Sequence, residues 1–111
     1  MNNRELKFRI WYYDQKKFDF NVELKDFSKY SFPLYWCKVQ QYTGLKDSKG
    51  VEIYEGDIVE IGDRKKEVIF NIGMFYIDEN YGDIVPISEV DNIIKVIGNI
   101  FENPELIKNN E

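Results

Sequence analysis

From Phe18 to Lys25 apolar and polar side chains alternate without a break, with Phe18, Phe20, Val22 and Leu24 set against Asp19, Asn21, Glu23 and Lys25. A period of two is the repeat of a strand, whose side chains point alternately to opposite faces. A helix would scatter the same four apolar residues around its circumference, so sheet is the state in which this segment buries them together. The run before it, Lys7 to Tyr13, alternates Phe8, Ile10 and Tyr12 with Arg9, Trp11 and Tyr13, and the polar stretch Asp14 to Lys17 separates the two. The pair is expected to form a β-hairpin with one dry face and one wet face. Its register should be firm, because a slip of one residue would bury four polar side chains. After an irregular stretch from Asp26 to Pro33, a third strand is expected over Tyr35 to Tyr42, with Tyr35, Cys37 and Val39 opposite Trp36, Lys38 and Gln40.

Composition extends the argument to the whole chain. There is no alanine and leucine is sparse, whereas Ile, Val, Phe and Tyr abound, so helix formers are missing and strand formers are plentiful. The segment Gly44 to Gly50, with Asp47, Ser48, Lys49 and Gly50 at its end, has the chemistry of a turn that closes on a positive φ angle, and it marks the expected boundary between two lobes. Beyond it, short strands are expected over Asp57 to Ile61, Lys66 to Asn71, Met74 to Ile77, Ile84 to Ile87 and Ile93 to Phe101. Gly62-Asp63, Asn71 to Gly73, Asp78 to Asp83 and Ser88 to Asn92 separate them. Five short strands at this spacing suggest a small barrel, which leaves fewer edges exposed than an open sheet. Ser88 with Asp91 is expected to cap one helical turn, and Asn103, Pro104 and Glu105 to start another, while Asn109 to Glu111 should fray. The expected fold is therefore all-β: an N-terminal β-hairpin or three-stranded lobe over residues 1–44, then a small SH3-like β-barrel over residues 45–111 with a short C-terminal helical turn. At 111 residues the two lobes form one compact unit.

Several function classes are disfavoured by what the chain lacks. A single cysteine cannot form an internal disulfide, no apolar run exceeds four residues, and the N-terminus is polar where a signal peptide would be apolar, so a cytoplasmic protein with no membrane association is expected. The net charge of −5 works against capture of a phosphate backbone by the molecule as a whole. Without histidine there is no Ser-His or Cys-His nucleophile system. Cys37, mid-strand between Tyr35 and Val39 on one face, is read as a packed thiol. The acids Asp47, Glu52, Glu55 and Asp57 suggest a hard-cation site by composition, but their spacing matches no EF-hand loop, and turn chemistry is the simpler reading. In that reading Asp57 accepts backbone N–H groups, and Gly56 adopts a conformation that a Cβ would hinder. Gly44, Gly50, Gly56 and Gly98 form no phosphate loop.

Basic and aromatic residues interleave at Lys7, Arg9, Trp11 and Tyr13 and again at Tyr35, Trp36, Lys38 and Tyr42, the composition of a surface that stacks unpaired bases. A two-layer β protein with one exposed face gives the same alternation. Arg64, Lys65 and Lys66 are expected in a solvated hairpin loop. Eighteen aromatic residues exceed what so small a lobe hides easily. Some of Trp11, Tyr13, Trp36 and Tyr42 are therefore expected either in an exposed patch or in a seal between the lobes.

Two stretches, Gln41 to Glu60 (QYTGLKDSKGVEIYEGDIVE) and Lys95 to Leu106 (KVIGNIFENPEL), resemble the signature segments of the YopX family, small proteins encoded by phages and prophages of low-GC Gram-positive bacteria. The opening KFRIWYYDQKKF is similar to that family's first strand and turn. The likeness is weakest from Asp26 to Trp36 and from Arg64 to Ile93. It implies an all-β fold and a phage or prophage context, and it brings no established activity.

The leading expectation is a non-enzymatic protein-interaction module, binding a protein partner or a second copy of itself, with Trp11, Tyr13, Trp36, Lys38 and Tyr42 as candidate binding residues. Gly44, Asp47, Gly50, Gly56, Asp57 and Gly98 are assigned to structural turns, and no cofactor is expected. The alternatives are a single-stranded nucleic-acid-binding protein and a metal-assisted carboxylate enzyme.

Overall fold

A computed structural model describes residues 5–29 and 36–107, which form ten strands linked by tight turns and short 3-10 segments. The first sheet contains β1 (Lys7–Tyr12), β2 (Lys17–Glu23), β3 (Cys37–Lys46) and β4 (Glu52–Tyr54) in the order β2-β1-β3-β4, and every neighbouring pair is antiparallel. The hairpin β1–β2 is present, but its division into a dry and a wet face is not. Register slips by one between Phe8↔Val22 and Ile10↔Asp19, and the strand bulges there at Asn21, whose φ of 62° is left-handed. One extra residue reverses the facing of everything beyond it. Val22 therefore joins Ile10 and Cys37 in a small core with Phe8, Tyr12, Val39 and Phe27, the last supplied by the 3-10 segment Leu24–Lys29. Phe18 turns instead to the opposite face beside Trp11, while Phe20 and Leu24, expected to be dry, are exposed. Both faces of β1 are covered: Arg9, Ile10 and Trp11 are consecutive and all buried.

The third strand runs further than expected. Its predicted start, Tyr35, lies outside the described residues, and at the other end β3 continues through Gly44 to Lys46, so the expected division at residue 44 falls inside a strand. Gly44, with φ +88°, sits in an irregularity of the β3–β4 pairing between Tyr42↔Tyr54 and Lys46↔Glu52.

The second lobe contains β5 (Asp57–Ile61), β6 (Arg64–Glu67), β7 (Ile69–Asn71), β8 (Met74–Asp78), β9 (Ile84–Pro86) and β10 (Lys95–Asn99), arranged as sheets β10-β5-β6 and β7-β8-β9. Their inner residues, with Ile53, Ile87, Val90 and Ile94, form the main core. β5 has the predicted ends, and the turns at Gly62-Asp63 and Ile72-Gly73 close two-residue hairpins. The expected single strand Lys66 to Asn71 is instead two strands broken at Val68. That residue is wholly buried, and its backbone turns inward, donating to Asp57 O and accepting from Gly56 N–H at 2.8 Å each. Arg64, Lys65 and Lys66 therefore lie in a strand rather than a loop, and Glu79 pairs with Arg64 at 2.9 Å. Among the described residues the pairings do not close into a continuous ring of strands.

Neither predicted side-chain cap forms. The 3-10 turn Ile87–Glu89 follows Pro86 with no capping side chain, which leaves Ser88 inside the turn. At the turn Pro104–Leu106, Asn103 Oδ1 accepts the N–H of Asn99 instead. Residues 109–111 lie outside the described residues, and no helix among those described is long and apolar enough to cross a membrane.

Asp47 pins the inter-lobe turn to β10. Its Oδ1 accepts the N–H groups of Lys49 and Val51 at 2.8 and 2.9 Å, and its Oδ2 accepts that of Val96 at 2.8 Å. Burial works to raise this carboxyl's pKa, but the three bonds together outweigh it and hold it below the usual carboxylate range. The stabilisation belongs to the ionised form, so it is present above the ordinary aspartate pKa and lost as pH falls through the lowered one. Asp47→Asn should cost about 1–3 kcal/mol at pH 7 in urea unfolding. The gap to the parent should begin to narrow below about pH 4, where the unfolded chain's carboxyl takes up a proton first, and should close only once the folded carboxyl is protonated too.

Candidate functional site

The five candidate binding residues divide into two groups. Trp11 and Tyr42 are only 6% and 4% exposed, which corrects the expectation that they present a binding surface. Trp11 stacks on Phe101 at 5.1 Å with planes 3° apart, and Tyr42 packs on Tyr54 at 5.4 Å. The Trp11–Phe101 stack seals the joint between the first sheet and the segment after β10, whereas Tyr42 and Tyr54 are cross-strand neighbours within the first sheet. Tyr13 and Trp36 remain 48% and 56% exposed, and Lys38 is also exposed. The two residues pair at one end of the first sheet, where Tyr13 N–H donates to Trp36 O at 3.3 Å, and the Tyr13 ring meets Phe101 edge-on at 5.8 Å.

Beneath the seal lies a site centred on Arg9. Its place in the β1 alternation assigned it to a wet face, yet it is buried, and each nitrogen has a partner. Nη1 meets Asp57 Oδ1 at 2.8 Å, Nε donates to Gln40 Oε1 at 2.8 Å, and Nη2 donates to the Glu55 carbonyl at 3.3 Å. The guanidinium also lies 4.5 Å from the Phe18 ring centroid and 4.8 Å from that of Tyr54, a cation held between two aromatic faces. Asp57, at the corner between β4 and β5, accepts the Tyr54 N–H at 2.8 Å through its other oxygen, so its expected role as a backbone acceptor holds. Burial pushes its carboxyl up to about 6, with Arg9 and the Tyr54 N–H pulling the other way.

The corner admits Arg9 because Gly56 has no side chain. Its φ is +85°, and a Cβ there would land on the carboxamide of Gln40. Gly98 is similarly confined by Asn103, its Cβ position lying 2.6 Å from Asn103 Oδ1.

Over the ion pair opens a cleft of about 380 Å³, walled by Phe20, Val51, Tyr54 and Val96. Two carboxylates stand at its rim. Glu52 holds Lys7 Nζ at 2.6 Å, and Glu102 accepts the Asn99 side-chain amide at 2.8 Å. Tyr54 is 3% exposed, and its hydroxyl has no hydrogen-bond partner among the described residues. Burial first, then the charge of Glu52, push its pKa up to about 12, so it remains a neutral phenol. Tyr54, Asn99, Phe101 and Glu102 match no chemical motif, and the only signal that reached them was their place within the two family-like segments.

The four acids once considered together as a cation site have separate duties. Asp47 binds the turn, Glu52 binds Lys7, Glu55 accepts the Gln41 N–H at 2.9 Å, and Asp57 binds Arg9. No group of three or more His, Cys, Asp or Glu is gathered for a metal among the described residues. Cys37 is buried in the small core, and burial pushes its thiol pKa up, away from the thiolate form.

Arg9→Met should cost roughly 3–5 kcal/mol, because it leaves Asp57 buried without its counter-charge. With the pull of Arg9 gone, the raised carboxyl pKa rises further, and protonation then favours the fold. The variant's deficit should therefore be smaller at pH 5 than at pH 8 in matched denaturant curves. Gly56→Ala should cost more than about 1 kcal/mol by the same measurement, since it combines a positive φ with a displaced Gln40.

In structure the chain is similar to protein EF1440 from Enterococcus faecalis, whose crystal structure matches it with a TM-score of 0.67 at 27% sequence identity, over 93% of this chain and 98% of that one. No curated protein matches the chain. The two segments that resembled a known family lie on β3 to β5 and on β10 to the last turn, and they contribute Asp57, Gly56, Asn99 and Glu102 to the site just described. A family model described as YopX protein matches residues 2–108, nearly the whole length, and the chain belongs to the YopX family.

Proposed function

We propose that this chain is a non-enzymatic protein-interaction module of phage or prophage origin, acting in the cytoplasm through a protein partner, with a second copy of itself as the first partner to test. The observation that carries this reading is the pair Tyr13 and Trp36. Trp11 is taken up by the stack on Phe101 and Tyr42 by its packing on Tyr54, yet Tyr13 and Trp36, paired through their backbones at one end of the first sheet, remain about half exposed. Exposed aromatic residues of this kind are enriched at the centres of protein interfaces. Lys38 lies on the same part of β3 and supplies a polar rim. In this reading the second lobe is a rigid SH3-like support in which sheets β10-β5-β6 and β7-β8-β9 face each other across one core.

The geometry gives less support to nucleic-acid binding. Of the interleaved cations, Arg9 is buried against Asp57 and Lys7 is bound to Glu52, so neither offers its charge to a phosphate. Nor do the separately engaged acids favour a carboxylate enzyme.

Light scattering coupled to size exclusion at physiological salt, together with recovery of the tagged protein from its natural host, tests the proposal. An oligomer or a co-purifying protein is expected, and Tyr13→Ser with Trp36→Ser should abolish it while leaving the melting temperature within a few degrees of the parent. A strict monomer that retains no protein from the host would overturn the reading.

A further inference from the structure

The cleft at the junction of the lobes is built from residues other than Tyr13 and Trp36, and its chemistry is of another kind. Its floor is electrically closed: Arg9 and Asp57 neutralise each other, and every guanidinium nitrogen already has a partner. An anion drawn towards Arg9 would find no free donor. At the rim Glu52 is balanced by Lys7, whereas among the described residues Glu102 is bound only by a neutral amide. The lining therefore carries one uncompensated negative charge. Around it stand apolar walls, Val51, Val96 and the half-exposed ring of Phe20, which packs edge-on to Tyr54 at 6.4 Å.

The second observation is the Tyr54 hydroxyl. It belongs to a residue that lines this cleft and is almost wholly buried, and its oxygen has no partner among the described residues. A buried phenol without a partner destabilises the free protein, and phenylalanine would fill the same space without that cost. The arrangement lacks a group that donates hydrogen bonds, carries one positive charge and brings an apolar stem.

We propose that the cleft is a binding site for an alkyl guanidinium or alkyl ammonium group, the chemistry of an arginine or lysine side chain. The stem lies against Val51, Val96 and Phe20, the charged head pairs with Glu102, and one of its N–H groups donates to Tyr54 Oη. Phe20, on the exposed edge strand β2, is the part of the wall that moves to admit it. The volume of about 380 Å³ is near the lower end of the roughly 300–1,000 Å³ of small-molecule sites, enough for one side chain.

The test is a titration of the full-length, nitrogen-15-labelled protein with butylguanidinium and butylammonium, followed through its amide resonances, with butylurea as the uncharged isostere. Either cation should shift the amides of Tyr54, Val96, Asn99 and Glu102, saturating in the millimolar range expected of so few atoms. Butylurea at the same concentration should leave them unmoved. Glu102→Gln should weaken binding by about fivefold or more, and Tyr54→Phe by roughly three- to tenfold. Tyr54→Phe should also raise the melting temperature of the free protein, by roughly 2–8 °C. Stability gained as affinity is lost is a combination that a tyrosine kept only for packing would not give. Unmoved amides, equal shifts with butylurea, or a Tyr54→Phe variant that binds as well as the parent would overturn the proposal.

Discussion

The contact between Arg9 and Asp57 organises the rest of the molecule. One partner comes from the first strand and the other from the corner at which the second lobe begins, so the ion pair cannot form until residues 48 apart in sequence are brought together. Taking two charges out of water is expensive, and such a pair is tolerated only where hydrogen bonds satisfy what the partner does not. Here Gln40, the Glu55 carbonyl and the Tyr54 N–H complete the set, and each comes from a strand or turn that must be in register to supply it. The requirement runs outward. Gly56 must lack a side chain so that Gln40 can reach Arg9, and the β3–β1 pairing must place Gln40 opposite Arg9 for the two to meet. A sheet shifted by one residue would leave both charges buried and unpaired, so the pair specifies register more than it adds stability.

The aromatic surplus is explained by the same junction. A small two-layer β protein has little interior, but the space between the first sheet and the chain that returns over it offers a second one. Phe101 lies just beyond β10 and stacks on Trp11, and on the sheet itself Tyr54 of β4 packs on its cross-strand neighbour Tyr42 of β3. Phe18 is turned into this seam by the bulge at Asn21. Two of these rings, Phe18 and Tyr54, also wall in Arg9 and keep water from its ion pair, which strengthens the electrostatic attraction. Tyr13 and Trp36 lie at the end of the sheet, where cover is partial: Phe101 meets Tyr13 edge-on, and both residues stay about half exposed.

What could be read from the sequence was local, and what could not depended on distant contacts. The ends of β5, the turns at Gly62-Asp63 and Ile72-Gly73, and the duties of Gly56 and Asp57 are written in residues next to one another, and they appear as expected. The sides of β1 and β2 could not be read, because periodicity assumes an unbroken strand and Asn21 inserts one residue. Arg9 looked like solvent-facing charge because alternation reports which residues share a face but not what covers that face. β4, three residues long, is too short to show a period, and Val68 breaks an apolar run by turning its backbone, which no side-chain pattern records. The two family segments carried more, since together they span the corner at Asp57 and the turn at Asn99 that meet across the cleft.

Tyr54 shows where local and global requirements part. Its neighbours are all satisfied: Arg9 on three sides, Asp57 on both oxygens, Gln40 through Arg9, and Lys7 through Glu52. Packing alone would be met by a ring with no hydroxyl, and the cation held against its face needs only the ring. The hydroxyl therefore adds nothing to the folded state by itself, and it belongs to a residue lining the same cleft as Glu102, a carboxylate with no cationic partner among the described residues. A network that closes around Arg9 and stays open at Tyr54 and Glu102 has its stability at the floor and its capacity for a further contact at the rim. The same division appears in the aromatics, where Trp11 is buried against Phe101 while Tyr13, edge-on to the same ring, keeps about half its surface exposed.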